Sequence, residues 1–177
     1  MIGLSRDVSA RHQAEAERAR LASIVENSNE AIYSRSLDGT ILTWNAGAAR
    51  MFGFSASEAI GKPISITLPP GQPLQLASFN ESMLLGELSP RELQRITKDG
   101  RVIDVLVSIS PTRDDTGIIT GAAVIMKDIT ALKQAQAAVR ESEERTRGIV
   151  SSAMDAIISV NNQQRVVLFN AAAEKLF

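Results

Sequence analysis

The side chains in this chain best suited to chemistry are cationic and aromatic groups set in short apolar-rich segments. Arg35 and Arg95 both lie on segments that read as strands, with Ser34 beside the first. A guanidinium that points inward from a strand can grip a carboxylate through its planar fork of N–H donors. Strand arginines ordinarily face solvent, and that is the expectation for both. Tyr33, Trp44 and Asn45 complete the candidate pocket. Trp44 and Tyr33 also fit a core or interface role, and that reading is preferred.

Other chemistry is removed by composition. The chain has 177 residues and no cysteine, which excludes disulfides, thiolate metal sites and cysteine nucleophiles. The single histidine, His12, stands between Arg11 and Gln13 and reads as a solvated helix position, so no metal site is expected. Asp114-Asp115 falls in a turn that explains both carboxylates by solvation, and there is no glycine loop built to cradle phosphate. No catalytic activity is expected from these residues. A net charge of −1 gives no bulk attraction to nucleic acid or to an anionic membrane. No stretch approaches the ~18 consecutive apolar residues that would span a bilayer. The start, MIGLSRDVSARHQ, lacks the basic opening and apolar core of a signal peptide. A cytoplasmic location is therefore expected, within a parent protein that can carry a membrane anchor elsewhere.

These residues are organised by an internal repeat. IVENSNEAIYSRSLDGTILTWNAGAARMF (24–52) aligns without a gap on IVSSAMDAIISVNNQQRVVLFNAAAEKLF (149–177), at an offset of 125 from Ile24 to Ile149. Asn45, Ala46, Ala48 and Phe52 recur as Asn170, Ala171, Ala173 and Phe177. A second echo places Asp7 against Asp128, at an offset of 121. The chain then reads as the end of one unit (1–7), a linker helix (8–21), a complete unit (22–130), a second linker helix (131–148) and the head of a further unit (149–177). Because the offsets differ by four, the first linker is about one helical turn shorter than the second.

Within the complete unit the elements follow from local rules. Residues 8–26 are rich in Ala, Glu, Arg and Gln without Pro or Gly, which predicts a helix. Leu37-Asp38-Gly39 separates two apolar-rich runs, 30–36 and 40–44, as a hairpin turn does. Asn45 stands at a helix N-cap and Gly53 at the matching C-cap. Ser55 with Glu58 forms a capping-box pattern for a second short helix. Residues 74–85 predict an amphipathic helix carrying Leu74, Ala77, Met83 and Leu84. The period then changes to two in 91–97, in Ile103 to Ile109 and in 118–127, with turns at Lys98-Asp99-Gly100 and Asp114-Asp115-Thr116-Gly117. The expected fold is α+β: a five-stranded antiparallel sheet, short helices on one face and long helices at both ends.

This order resembles a PAS domain, and particular residues carry the resemblance. Leu37-Asp38-Gly39-Thr40-Ile41 with Trp44-Asn45-Ala46-Gly47-Ala48 is similar to the family's first hairpin and helix. Phe52-Gly53-Phe54-Ser55 with Glu58 to Pro63 resembles its second helix region, and Lys98-Asp99-Gly100 its later turn. Asp128-Ile129-Thr130 resembles the exit motif that couples the last strand to a signalling helix, giving those three residues the role of a relay. The chain departs from the pattern at Ala49, where many relatives carry a glutamate; the second copy has Glu174 there.

The resemblance implies a sensory and dimerisation module that relays a signal to an output domain. The first expectation is a two-component sensor histidine kinase; the alternative is a diguanylate cyclase or phosphodiesterase, and a flavin-binding redox sensor is a third. Histidine-ligated haem is excluded for the complete unit because residues 72–86 hold no histidine, and a flavin–cysteine adduct is excluded by composition. No cofactor is expected, with non-covalent flavin at Tyr33, Trp44 and Asn45, or a small ligand, left open. Along the exit helix Ile129, Leu132, Gln136, Val139, Glu143, Thr146, Val150 and Ala153 follow 3-4 spacing, the pattern of a coiled-coil seam. Its polar positions make it a marginal seam, suited to shifting. The expected partners are a second copy of the chain through the linker helices, and the adjacent PAS and output domains.

Overall fold

The structure, a computed structural model of the chain, describes residues 4–73, 76–86, 89–152 and 155–176, without the side chains of 4–11, 146–148 and 150–152. It divides into two compact units, Met1–Thr130 and Ala131–Phe177. The first contains α1 (Leu4–Glu26), β1 (Ala31–Ser36), β2 (Ile41–Trp44), α2 (Ala46–Phe52), α3 (Ala56–Ala59), a 3-10 turn (Ile64–Thr67), α4 (Leu76–Leu84), β3 (Arg91–Ile96), β4 (Val102–Arg113) and β5 (Ile119–Asp128). The exit helix α5 (Thr130–Ser152) begins at its last residue. The second unit continues with β6 (Ile158–Val160), β7 (Val166–Phe169) and α6 (Ala171–Leu176).

The first unit is built on an antiparallel five-stranded sheet in the order β2-β1-β5-β4-β3, as expected. Its three hairpin turns share one device. Asp38 accepts from the Ser36 hydroxyl and from the Thr40 N–H at 3.1 Å. Asp99 accepts from the Thr97 hydroxyl, and Asp114 from the Thr116 and Ile118 N–H groups at 2.9 and 3.0 Å. An Asx turn of this kind fixes each reversal locally. The same bonds hold the carboxyls below their ordinary range, first through Ser36 for Asp38 and Thr116 for Asp114, with Asp99 at about 2, first because of Thr97 and then Arg101. What closes the sheet is not local. β1 pairs along its whole length with β5, nearly ninety residues on, with Tyr33 opposite Val124 and Arg35 opposite Ala122.

One face of the sheet is covered by α2, α3 and α4 and carries the core. Ile41, Phe52, Val105, Val124 and Met126 are buried there. Trp44 stacks between Tyr33 and Phe52, with ring centroids at 5.4 and 5.5 Å, and its indole N–H donates to the Phe54 carbonyl at 3.0 Å. The helices start where their caps predicted. Ser55 and Glu58 form the capping box of α3, and Gly53 ends α2. Glu58 also reaches Lys98 in the β3–β4 turn.

One expectation is corrected, and one element was not foreseen. The helix predicted over 74–85 is α4, and its inward side chains are Leu76, Phe79 and Met83, while Ala77 and Leu84 are exposed. Leu84 is one position from Met83 and so lies ~100° round the helix; Leu74 is outside the described residues. The 3-10 turn after Pro63 was not foreseen, because four residues are too few to show a period. Residues 4–7 are helical and part of α1. Asp128 ends β5, paired with Val105 of β4. His12 is an exposed helix position, as read.

Candidate functional site

Alternation along β1 places Ala31, Tyr33 and Arg35 on the covered face, and alternation along β3 does the same for Arg95. Both arginines are therefore inside: Arg35 is 3% exposed and Arg95 8%. This overturns the expectation that they face solvent. The reason is nonlocal, since α4 and the segment after the 3-10 turn roof the concave sheet and leave a cavity of about 330 Å³ beneath. Tyr33, Arg35 and Arg95 line it together with apolar walls that include Leu76, Phe79, Val107 and Met126.

The two guanidinium groups are held differently. Arg35 donates to the Ser36 carbonyl and to the Asn80 side-chain oxygen, both at 3.0 Å. Asn80 in turn donates to the Leu37 carbonyl at 2.9 Å, so Arg35 and Asn80 pin α4 to the first hairpin. Arg91 fastens the other side of α4, donating to the Ser82 hydroxyl at 2.8 Å and lying over the Phe79 ring. Arg95 donates from Nη1 to the Gln94 carbonyl at 2.8 Å. Its Nε is buried and has no hydrogen-bond partner. Burial lowers the pKa of both arginines, opposed by the nearby Tyr33. Burial likewise raises the Tyr33 hydroxyl well above the ordinary tyrosine value, opposed by the charges of Arg95 and Arg35, so it stays a protonated donor.

Three residues proposed for this pocket belong elsewhere. Trp44 is in the aromatic stack, in line with the preferred core reading. Asn45 is a structural hub. Its Oδ1 accepts from the Ile32 and Ala48 N–H groups at 2.9 and 2.7 Å, and its amide donates to the Val25 and Glu30 carbonyls at 2.8 and 3.1 Å. Ser34 points to the opposite face and bonds the Thr43 hydroxyl at 2.8 Å. The residues that sequence reasoning missed are Asn80, which orients Arg35, and Phe79 over the cavity; an Asn in a predicted amphipathic helix carries no signal of what it faces.

The second feature is the sheet exit. The Asp128 carboxylate accepts from the Thr130 N–H at 2.8 Å, the Ile129 N–H donates to the Asp104 carbonyl at 2.9 Å, and the Thr130 hydroxyl accepts from the Asp104 N–H at 2.9 Å. Asp104 on β4 was not foreseen; it receives the first residue of α5 through its backbone. Ile129 is buried. Beyond it Leu132, Gln136, Val139 and Glu143 are exposed, and the side chains of Thr146 and Val150, with Ala153, lie outside the described residues. Among the described residues no cluster of His, Asp or Glu could hold a metal ion, and no helix is long and apolar enough to cross a membrane.

No curated protein matches the chain. Among solved structures it is similar to the PAS domain of a protein from Colwellia psychrerythraea, at 24% identity and TM-score 0.56, covering 64% of this chain and 97% of that one. It is similar to an RNA-binding light-oxygen-voltage receptor at 18% identity and TM-score 0.60, covering 71% of this chain and 37% of that one. It is also similar to a PAS domain from a two-component sensor histidine kinase, at 15% identity and TM-score 0.53, covering 65% and 98%. At these identities the likeness shows the fold. The family profile described as PAS fold matches residues 19–129, more than half of the sequence and the whole five-stranded sheet, and the chain belongs to that family.

Proposed function

We propose that the first unit is a sensory and dimerisation module that passes a change in its sheet through Asp128, Ile129 and Thr130 into α5, and from there to an output domain of a sensor histidine kinase in the same protein. The observation that carries this reading is the clamp at the exit. Ile129 and Thr130 are bonded to Asp104 on β4 as well as following β5, so a shift of one strand past the other redirects the first turn of α5. The solved PAS domain from a two-component sensor histidine kinase supports that output class.

Leu132 and Val139 are 56% and 58% exposed, and a second copy packed along 3-4 spacing would cover them. The hydrogen bonds of Asn170 support reading residues 149–177 as the head of a further PAS unit. The reading assigns no reaction to these residues, and it places the protein in the cytoplasm.

The test uses the full-length parent. Asp128→Ala and Thr130→Val leave the core of the first unit intact and are expected to flatten the response of autophosphorylation to the stimulus while the melting temperature changes little. A full response in both variants would sink the relay. Multi-angle light scattering is expected to find a dimer, and a monomer at high concentration would remove the seam.

A further inference from the structure

The cavity holds two positive charges and a protonated phenol, and among the described residues lining it there is no buried carboxylate. Glu92, the one carboxylate among those described residues, is exposed on the alternate positions of β3. A buried guanidinium is ordinarily matched by an acid, because taking it out of water is costly unless it is paired. Arg35 is engaged as a structural pin on α4 through both of its terminal nitrogens. Arg95 is not: it is 92% buried, its Nη1 is used, and its Nε–H is left without a partner.

We propose that this cavity binds the carboxylate of a small organic acid, gripped by the guanidinium of Arg95, with the Tyr33 hydroxyl as a further donor and Arg35 adding a second positive charge. This rests on the reading of the first unit as a sensory module and names the class of molecule it senses. The planar fork of arginine matches a carboxylate through two parallel bonds. The apolar part of the lining, Leu76, Phe79, Leu93, Val107 and Met126, calls for an organic body on the anion and argues against a bare inorganic ion. The volume of about 330 Å³ sets the size at the small end of ligand pockets. Because Phe79 and Leu76 come from α4, an occupant touches both the roof and the sheet, which is how binding would reach the strands.

The test reads binding directly in the 177-residue chain, so its failure does not depend on the relay. Melting temperature is followed against hexanoate, benzoate and succinate, against hexanamide and benzamide, and against inorganic phosphate. At least one carboxylate is expected to raise the melting temperature in a concentration-dependent way, with its amide inert and phosphate without effect. Arg95→Lys keeps the charge but loses the fork, and is expected to weaken that binding roughly ten- to a hundredfold. Should Arg95→Lys fail to fold, the arginine Nε–H signals of the ¹⁵N-labelled wild-type chain decide: one buried Nε–H is expected to move downfield on adding the acid. The proposal is overturned if no carboxylate binds, if an amide binds as well as its acid, if phosphate alone binds, or if the purified chain carries a flavin absorption band.

Discussion

Asn45 and Asn170 stand 125 positions apart and make the same bonds in two different surroundings. Asn170 accepts from the Ile157 and Ala173 N–H groups at 2.8 and 3.0 Å and donates to the Asp155 carbonyl at 2.9 Å, matching the bonds of Asn45 to Ile32, Ala48 and Glu30. Ala48 and Ala173 are both fully buried. Around Asn45 the strands are buried: β1 buries every second residue, and Ile41 is 0% exposed. One asparagine is enough to join a hairpin to a short helix, because its side chain satisfies a strand N–H, a helix N–H and a carbonyl together. It is not enough to make a core. That comes to the first copy from β3, β4, β5 and α4, which stand far from it in sequence.

The copies also differ where backbone is tight. Gly39 turns the first hairpin at φ +92°, and Gln164 holds the matching place at φ 59°, a conformation that disfavours side chains. Gly47 lies so close to the chain entering β1 that a Cβ would sit 2.2 Å from the Glu30 carbonyl oxygen, whereas the second copy carries Ala172 there.

The largest effect expected from breaking this parallel is that of Asn45→Ala. It removes the side-chain partner of the Ile32 and Ala48 N–H groups and of the Glu30 carbonyl at once and should destabilise the first unit by about 3 kcal/mol or more in urea titration. Asn170→Ala should leave that transition within about 0.5 kcal/mol, because its bonds to Ile157, Ala173 and Asp155 lie in the second unit; an equal cost would show that the first unit depends on the second frame. Gly47→Ala should cost about 2 kcal/mol, from overpacking against backbone that cannot move aside. Gln164→Gly should stabilise the second hairpin by about 1 kcal/mol by relieving its left-handed backbone, seen as slower amide exchange across β6 and β7.

The smallest effect belongs to Glu58, whose carboxyl is pulled to about 2, first by Lys98 and then by the Ser55 N–H and hydroxyl. A carboxyl lowered in this way stabilises the fold above its ordinary value of 4.5, and the contribution disappears as pH falls toward 2. Glu58→Gln should therefore melt slightly below wild type at neutral pH, and the two curves should converge on acidification. A gap that persists at low pH would show that packing, and not charge, joins α3 to the β3–β4 turn.

The repeat, the Asp-centred turns and the caps at Asn45, Ser55 and Gly53 were legible in the sequence because each is decided within a few residues by side chains that bond their own backbone. The period-two segments likewise gave the strands, and their turns gave the antiparallel sheet. The exit motif was legible only as a resemblance; its anchor, Asp104, is 26 positions from Thr130. The side chains of the cavity were the least legible. Whether an arginine on a strand faces water or the core is a choice between two faces, and Arg35 and Arg95 read the same either way until α4 covers one of them. The sequence by itself determined where the chain turns, which segments are strands and that one frame occurs twice. Only the tertiary structure decided that two guanidinium groups lie under a roof, because burial is settled by elements that meet across the sheet and not by neighbours along the chain.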